Sequence, residues 1–135
     1  MEGKLCLITG ATDGIGKETA KYLAGFNARL ILVGRDQSKG GSVRNELMVQ
    51  TGNDQIDIMT ADLSNMNAIQ KLSAEIHKKY NKLNVLINNA GAFFSKREIT
   101  DDGFEKTFAL NHLGYFLLTK LLLDLIKKST HARIV

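Results

Sequence analysis

Short apolar runs alternate with longer helical patterns along this chain, and that alternation limits the possible folds more than any other feature. The runs are Lys4–Thr9, Leu30–Val33, Gln55–Thr60, Val85–Ile87 and a last one beginning at Arg133–Val135. They are continuously apolar rather than alternating, as expected of parallel strands buried on both faces. Helical patterns separate them: about Ile15 to Gly25, an Asp36-capped stretch to about Gln50, Asn65 to Tyr80, and a long one from about Asp102 to Lys127 that follows a loop through Gly91 to Thr100. Parallel neighbours require crossovers, and these wind right-handedly. The expected architecture is α/β, a doubly wound parallel sheet of about five strands truncated at the fifth, forming one domain over residues 1–135.

Composition narrows the function classes. With 44% hydrophobic and 24% charged residues in 135, the chain has the makeup of a soluble globular domain and not of a disordered one. It contains no proline, which excludes a proline-rich linker or tail. A lone Cys6 excludes an internal disulfide and any zinc ribbon or finger, so a reducing, cytoplasmic setting and no metal site are expected. Inside a strand, Cys6 reads as a small buried hydrophobe. The net charge of +4 raises the question of nucleic acid, but the basic residues are scattered. Their local clusters, His77-Lys78-Lys79 with Lys82 and Lys127-Lys128, fall at helix ends, where cations complement the dipole. Solvated helix ends are favoured over a phosphate-binding patch, and no nucleic-acid partner is expected. No targeting pattern precedes Lys4, and Thr119, Lys120 and Asp124 interrupt the richest apolar stretch, so no transmembrane segment is expected.

The strongest local signal is Thr9-Gly10-Ala11-Thr12-Asp13-Gly14-Ile15-Gly16, between the first strand and the first helix. Gly10 allows a sharp strand-to-helix turn. Gly14 and Gly16 leave room for a pyrophosphate to reach the backbone at the dipole-positive helix N-terminus, and for the helix to pack close to the sheet. The spacing is G-x-x-x-G-x-G, and its place in a βαβ unit points to a nucleotide cofactor.

From these residues onward the sequence resembles the short-chain dehydrogenase/reductase family, over its whole length. Thr9-Gly10 through Gly14-Ile15-Gly16 matches the family's cofactor fingerprint, Asp62-Leu63 its adenine-contacting segment, and Asn88-Asn89-Ala90-Gly91 its N-N-A-G. Asn111, in Asn111-His112-Leu113-Gly114, matches the catalytic-site asparagine. The wording of Gly14 to Thr19 and Val33 to Asp36 looks most like the retinol-dehydrogenase-like branch. The resemblance implies a Rossmann-type fold and hydride transfer between a nicotinamide and an alcohol or carbonyl substrate. It implies cofactor-binding roles for Gly10, Thr12, Asp13, Gly14, Ile15, Gly16, Asp62, Leu63, Asn89, Ala90 and Gly91, and a proton-relay role for Asn111. Asn88 is expected mainly to tie neighbouring strands. Turn chemistry is the competing reading for Asp62 and for the Asn88-Asn89 pair.

Cofactor choice follows from charge. An acidic residue ending the second strand would favour NAD(H), but here Gly34 is followed by Arg35, which suits the 2′-phosphate of NADP(H). Asp36 is read as the N-cap of the next helix, with Thr12 as a hydroxyl donor. NADP(H) is therefore expected in preference to NAD(H).

The family's Ser and Tyr-x-x-x-Lys have no counterpart in the 135 residues: the positions four after Tyr22, Tyr80 and Tyr115 hold Phe26, Asn84 and Thr119. Ser129 precedes the fifth strand, whereas the family's serine follows it. The expectation is an N-terminal cofactor-binding part of an oxidoreductase, inactive by itself. A noncatalytic NADP-binding or interaction module is the alternative. On a regular helical wheel, Leu110, Leu113, Leu117 and Leu121 form one stripe of the long helix, and Phe104, Phe108, Tyr115, Leu122 and Ile126 another. So broad an apolar face fits either a wide core contact or a further partner, including a second copy of the chain.

Overall fold

A computed structural model describes all residues 1–135. The elements are β1 (Leu5–Thr9), α1 (Gly14–Gly25), β2 (Arg29–Gly34), α2 (Gln37–Thr51), β3 (Ile56–Thr60), α3 (Met66–Lys79), β4 (Val85–Ile87), α4 (Lys106–Phe108), a π-helical segment (Ala109–Leu113), α5 (Gly114–Lys127) and β5 (Arg133–Ile134). The sheet is parallel throughout, in the order β3-β2-β1-β4-β5. This is the expected doubly wound α/β fold, with its topological switch between β1 and β4.

Strand periodicity explains why both faces are covered. Along β1 and β2, Leu7, Ile31 and Val33 point to one side and Cys6, Ile8, Leu30 and Leu32 to the other, and all seven are fully buried. The first set meets α3 and α5 through Ile69, Ile76, Leu118 and Leu122. The second meets α1 and α2 through Ala20, Ala24, Val43 and Leu47. Each fully buried Leu or Ile contributes about 1.5–3 kcal/mol. Cys6 behaves as the small hydrophobe the sequence suggests, with burial raising its thiol pKa to about 11.

Helix starts follow the polar side chains. Asp13 accepts from Gly14 N–H, Asp36 from Lys39 N–H, and Asn65 from Ala68 N–H. Gly40 weakens α2 locally, but a Cβ there would lie 2.7 Å from Ile58 Cγ2, so its absence lets α2 approach β3. Asn53 sits buried behind α2, donating to the carbonyls of Ala24 and Ala28 and accepting from Gln55 N–H.

The last helix departs from the expected start near Asp102. Gly103 has φ +83° in a turn closed by Gly103 N–H to Thr100 O, and Ile99 bridges Glu105. Helix begins only at Lys106, because the Glu105 carboxylate accepts from the N–H groups of Thr107 and Phe108. The π-helical Ala109–Leu113 also breaks regular periodicity. The buried residues beyond it are Gly114, Leu118, Leu122, Leu125 and Ile126, whereas Phe104, Phe108, Phe116 and Leu123 are exposed. The wheel therefore misplaces Phe104 and Phe108, which lie outside the core. The stretch Lys106–Lys127 is also long and apolar enough to cross a membrane by length and composition, a test that the core helix of a soluble protein passes as well. Here its inner face covers the sheet.

The packing of α3 against α5 carries one titratable link. His77 Nδ1 lies 2.8 Å from the Ser73 carbonyl and Nε2 lies 2.9 Å from Asp124 Oδ1. The Ser73 carbonyl and the Asp124 carboxylate push the imidazole pKa above its ordinary 6.5, and His77 holds Asp124 below 3.8. A raised histidine pKa stabilises the fold fully below 6.5, and that stabilisation disappears as pH rises through the folded-state value. A depressed aspartate pKa stabilises it above 3.8 and is lost on acidification. The expected outcome is that His77→Gln lowers the urea midpoint most between these two values and least in alkaline buffer. A deficit independent of pH would assign the effect to packing.

Candidate cofactor site

The strands' carboxyl ends open into a cavity of about 460 Å³ at the β1–β4 switch. Of the residues singled out in the sequence, Gly10, Thr12, Asp13, Gly14, Ile15, Arg35, Leu63, Asn89, Ala90 and Gly91 line it. Val33, Gly34, Lys39, Ala61, Ala92 and Leu110 join them.

Beneath the cavity the chain is joined by two side chains. The buried Thr9 hydroxyl donates to Ile87 O at 3.3 Å and accepts from the N–H groups of Asn89 and Ala90 at 2.9 and 3.0 Å. The Asn89 amide donates to the carbonyls of Thr9 and Gly10 at 2.9 and 3.3 Å. These bonds satisfy backbone groups that the sheet ladder abandons where β1 and β4 diverge. The Asn89 side chain thus ties β1 to the end of β4, while the Asn88 N–H ties β4 to β5 by donating to Val135 O at 2.7 Å. The Asn88 side-chain amide reaches Thr119 Oγ1 on α5 at 3.3 Å, and its Oδ1 is buried without a partner.

Glycine geometry fits the loop to a ligand. Gly10 has φ +64°, a left-handed conformation that other residues rarely adopt. Gly16 is a packing position, since a Cβ there would lie 2.3 Å from Gly10 O and 2.4 Å from Asn89 Nδ2. It stands behind the loop and does not line the cavity. At Gly14 there is open space within 4 Å, so the start of α1 is bare backbone facing the cavity. The Gly14 N–H is taken by the Asp13 carboxylate, and the N–H groups that follow it in the first turn suit a pyrophosphate.

The β2 end is cationic. Arg35 is exposed and has no carboxylate partner within 4.0 Å. Lys39, which the sequence reading overlooked, lines the same cavity and holds Asp13 at 2.7 Å. Lys39 and the Gly14 N–H keep the Asp13 carboxyl below its ordinary range. Lys39 stands three residues past the Asp36 cap, in the first turn of α2. Gly34 lies against Thr12, whose Cγ2 would be 2.7 Å from an added Cβ. Arg35 and Thr12 thus share one wall.

Two further predicted residues are held by contacts within the chain. The exposed Asp62 accepts from Ser64 N–H and Ser64 Oγ at 2.9 and 2.7 Å, which is turn chemistry, and only its neighbour Leu63 reaches the cavity. Asn111 lies in the π-helical segment and makes a reciprocal pair with the Ala92 backbone: Ala92 N–H to Oδ1 at 3.0 Å and Nδ2 to Ala92 O at 2.9 Å. Tyr115 donates to Ala90 O, and burial raises its pKa. Asn111 and Tyr115 thus brace the Asn89–Ala92 wall from the helix side. Gly114 allows this approach, because a Cβ there would lie 2.5 Å from Leu63 O.

With the geometry in place, comparison with known proteins decides the family. The family model for short chain dehydrogenase matches residues 4–135. The chain belongs to the short-chain dehydrogenase family. Mouse retinol dehydrogenase 12 is 45% identical over 133 residues, covering 98% of this chain and 42% of that protein. Human polyprenol dehydrogenase is 42% identical over 126 residues, covering 93% of this chain and 38% of that one. This short-chain dehydrogenase sequence therefore spans less than half the length of these curated relatives. Among solved structures, the Pseudomonas aeruginosa RhlG/NADP active-site complex superposes with a TM-score of 0.85 at 26% identity, covering 99% of this chain and 54% of that one. A putative short chain dehydrogenase from Escherichia coli CFT073 complexed with NADPH gives 0.85 at 28%, covering 99% and 57%. Within the family, the sequence is retinol-dehydrogenase-like.

The Thr9 hydroxyl is the joint most open to test in this short-chain dehydrogenase site. Thr9→Val keeps the shape but strands the Asn89 and Ala90 N–H groups, and is expected to cost about 1–3 kcal/mol in chemical denaturation. Amide exchange at Asn89 and Ala90 should accelerate alongside it. Unchanged exchange there would show that the joint does not depend on the hydroxyl.

Proposed function

We propose that this chain is the cofactor-binding part of an oxidoreductase that uses NADP(H) in preference to NAD(H). The observation that carries the reading is the lining at the β2 end, Arg35 without a carboxylate partner and Lys39 paired with Asp13, in one cavity with the start of α1. The cofactor, when bound, supplies or accepts a hydride at its nicotinamide ring. The start of α1 would hold the pyrophosphate, Arg35 and Lys39 the adenosine 2′-phosphate, and Asn89 to Ala92 with Leu110 the nicotinamide side. Asn111 and Tyr115 act as positioning residues for that wall. Neighbours solved with NADP and NADPH support the choice.

A hydrophobic alcohol or carbonyl is the proposed substrate class, supported by the names of the relatives, a retinol and a polyprenol dehydrogenase. No tyrosine here has a lysine four residues on, so the 135 residues bring no counterpart of the family's proton donor. Loss of a general acid costs about 10²- to 10⁴-fold in rate. The purified chain is therefore expected to bind cofactor without measurable carbonyl reduction. A purely NADP-binding module predicts the same binding, and would be favoured if the gene places a stop codon directly after Val135. A cytoplasmic setting, drawn from the single buried Cys6, belongs to the same proposal.

Calorimetric titration with NADPH and NADH tests the cofactor reading. A charged hydrogen bond is worth about 1.5–3 kcal/mol, so NADPH is expected to bind about 10- to 100-fold tighter. Arg35→Asp should reverse the order, and Lys39→Gln should weaken NADPH while leaving NADH nearly unchanged. Equal affinities in the parent chain would overturn the proposal.

Self-association is assigned to the outer face of the last helix, where Phe108 stacks on His112 at 5.1 Å and Phe116 and Leu123 are exposed. Phe116→Glu is expected to shift the chain to monomer in sedimentation equilibrium. A parent chain that is already monomeric would exclude this face as the contact.

A further inference from the structure

A second cavity, of about 490 Å³, lies at the opposite end of the sheet, by the amino ends of β1 and β2. Its wall brings together residues that are far apart in sequence: Arg29 at the start of β2, His77, Lys78 and Lys79 at the end of α3, Lys82 after it, and Lys128 after α5. Leu5, Tyr80 and Leu125 supply its apolar part, and no carboxylate lines it. The two basic runs that read separately as solvated helix ends thus converge on one concavity.

Charge balance decides whether those cations merely neutralise the helices. The C-termini of α3 and α5 each present about half a negative charge. Two carboxylates stand nearby: Asp57 lies 3.9 Å from Arg29, and Asp124 lies 4.0 Å from Lys128 and also holds His77. Against these stand Arg29 and four lysines, of which Lys78, Lys79 and Lys82 have no carboxylate within 4.0 Å. An excess of about two positive charges remains after both helix ends and both carboxylates are counted. Arg29 is held in place by stacking on the Tyr80 ring, 4.9 Å from its centroid.

We propose that this cavity is a binding site for a phosphate-bearing anion, separate from the cofactor site. The excess matches the roughly −1.5 to −2 charge of a phosphomonoester near neutrality. Lysine ammonium groups are flexible point charges, so the site selects for charge more than for shape, and only Arg29 offers a planar fork. A soluble phosphate ester and a phospholipid headgroup both carry this chemistry.

The experiment is a pyrophosphate titration of the isotope-labelled chain followed by amide NMR, which separates the two ends of the sheet residue by residue. Saturable shifts are expected at Leu5, Arg29, Tyr80, Lys82 and Lys128, in addition to those at Gly10 to Gly16. Combined Lys78→Gln, Lys79→Gln and Lys82→Gln should weaken binding at the amino-end residues about tenfold or more and leave the glycine-loop shifts unaltered. A charge-matched control, Lys21→Gln, Lys71→Gln and Lys96→Gln, at exposed positions outside the cavity, should change neither. Co-sedimentation with phosphatidylserine–phosphatidylcholine vesicles, against phosphatidylcholine alone, distinguishes the sources. Binding that the cavity lysines control and pyrophosphate competes assigns a lipid headgroup. Shifts without vesicle binding assign a soluble phosphate ester. No saturable shift at the amino end, at concentrations that saturate the glycine loop, overturns the proposal, as does equal weakening by the control.

Discussion

Where β1 and β4 part company, the sheet can no longer satisfy its own backbone, and the organisation of the cofactor site follows from how that gap is closed. The strands leave the switch point in different directions, stranding amides and carbonyls at the carboxyl end. Thr9 and Asn89 take up five of these groups between them, with Thr9 fully buried. Glycine at positions 10 and 16 is then a steric requirement of the joint, because the Ala90 backbone at the first, and the Gly10 carbonyl with the Asn89 amide at the second, occupy the space a side chain would need. The cavity for a dinucleotide lies on top of this knot of hydrogen bonds, and its floor cannot move without breaking them.

A second layer of support comes from the last helix. Asn111 and Tyr115 hold the backbone at Ala92 and Ala90 from the side opposite Thr9. The Asn89–Ala92 wall is therefore pinned from two directions by groups on different elements. On the β2 side there is much less constraint: Arg35 is exposed and Lys39 rests against a solvent-facing Asp13. The site joins a rigid half to an electrostatic half, and the selectivity proposed for NADP(H) sits in the second.

Much of this architecture was legible in the residues. Continuous apolar strands and helix caps such as Asp36 fixed the layers and the winding, because burial on both faces leaves no polar alternation to confuse the period. Residues of the glycine loop and of Asn89-Ala90-Gly91, picked out separately in the sequence, line one cavity. What escaped were features that depend on three-dimensional convergence. Lys39 looks like any helix-surface lysine, Thr9 like any strand threonine, and the tie that Asn89 makes to β1 turns on which way successive side chains point. Asp62 looked like a ligand contact, yet its carboxylate closes a turn on Ser64. The wheel failed for the last helix because it assumed a uniform period through a segment that does not have one.

That segment has a consequence for tolerance to change. A π turn takes up an extra residue relative to the α-helix on either side. Removing a residue beside Asn111 would restore regular winding and leave the turns on either side in register, moving only the positions inside the segment around the helix axis. Asn111 would then turn away from Ala92 with its own side chain unaltered. Positioning at this wall is in that sense encoded by arithmetic, the number of residues in one turn, and an alignment that scores only residue identity would not register its loss.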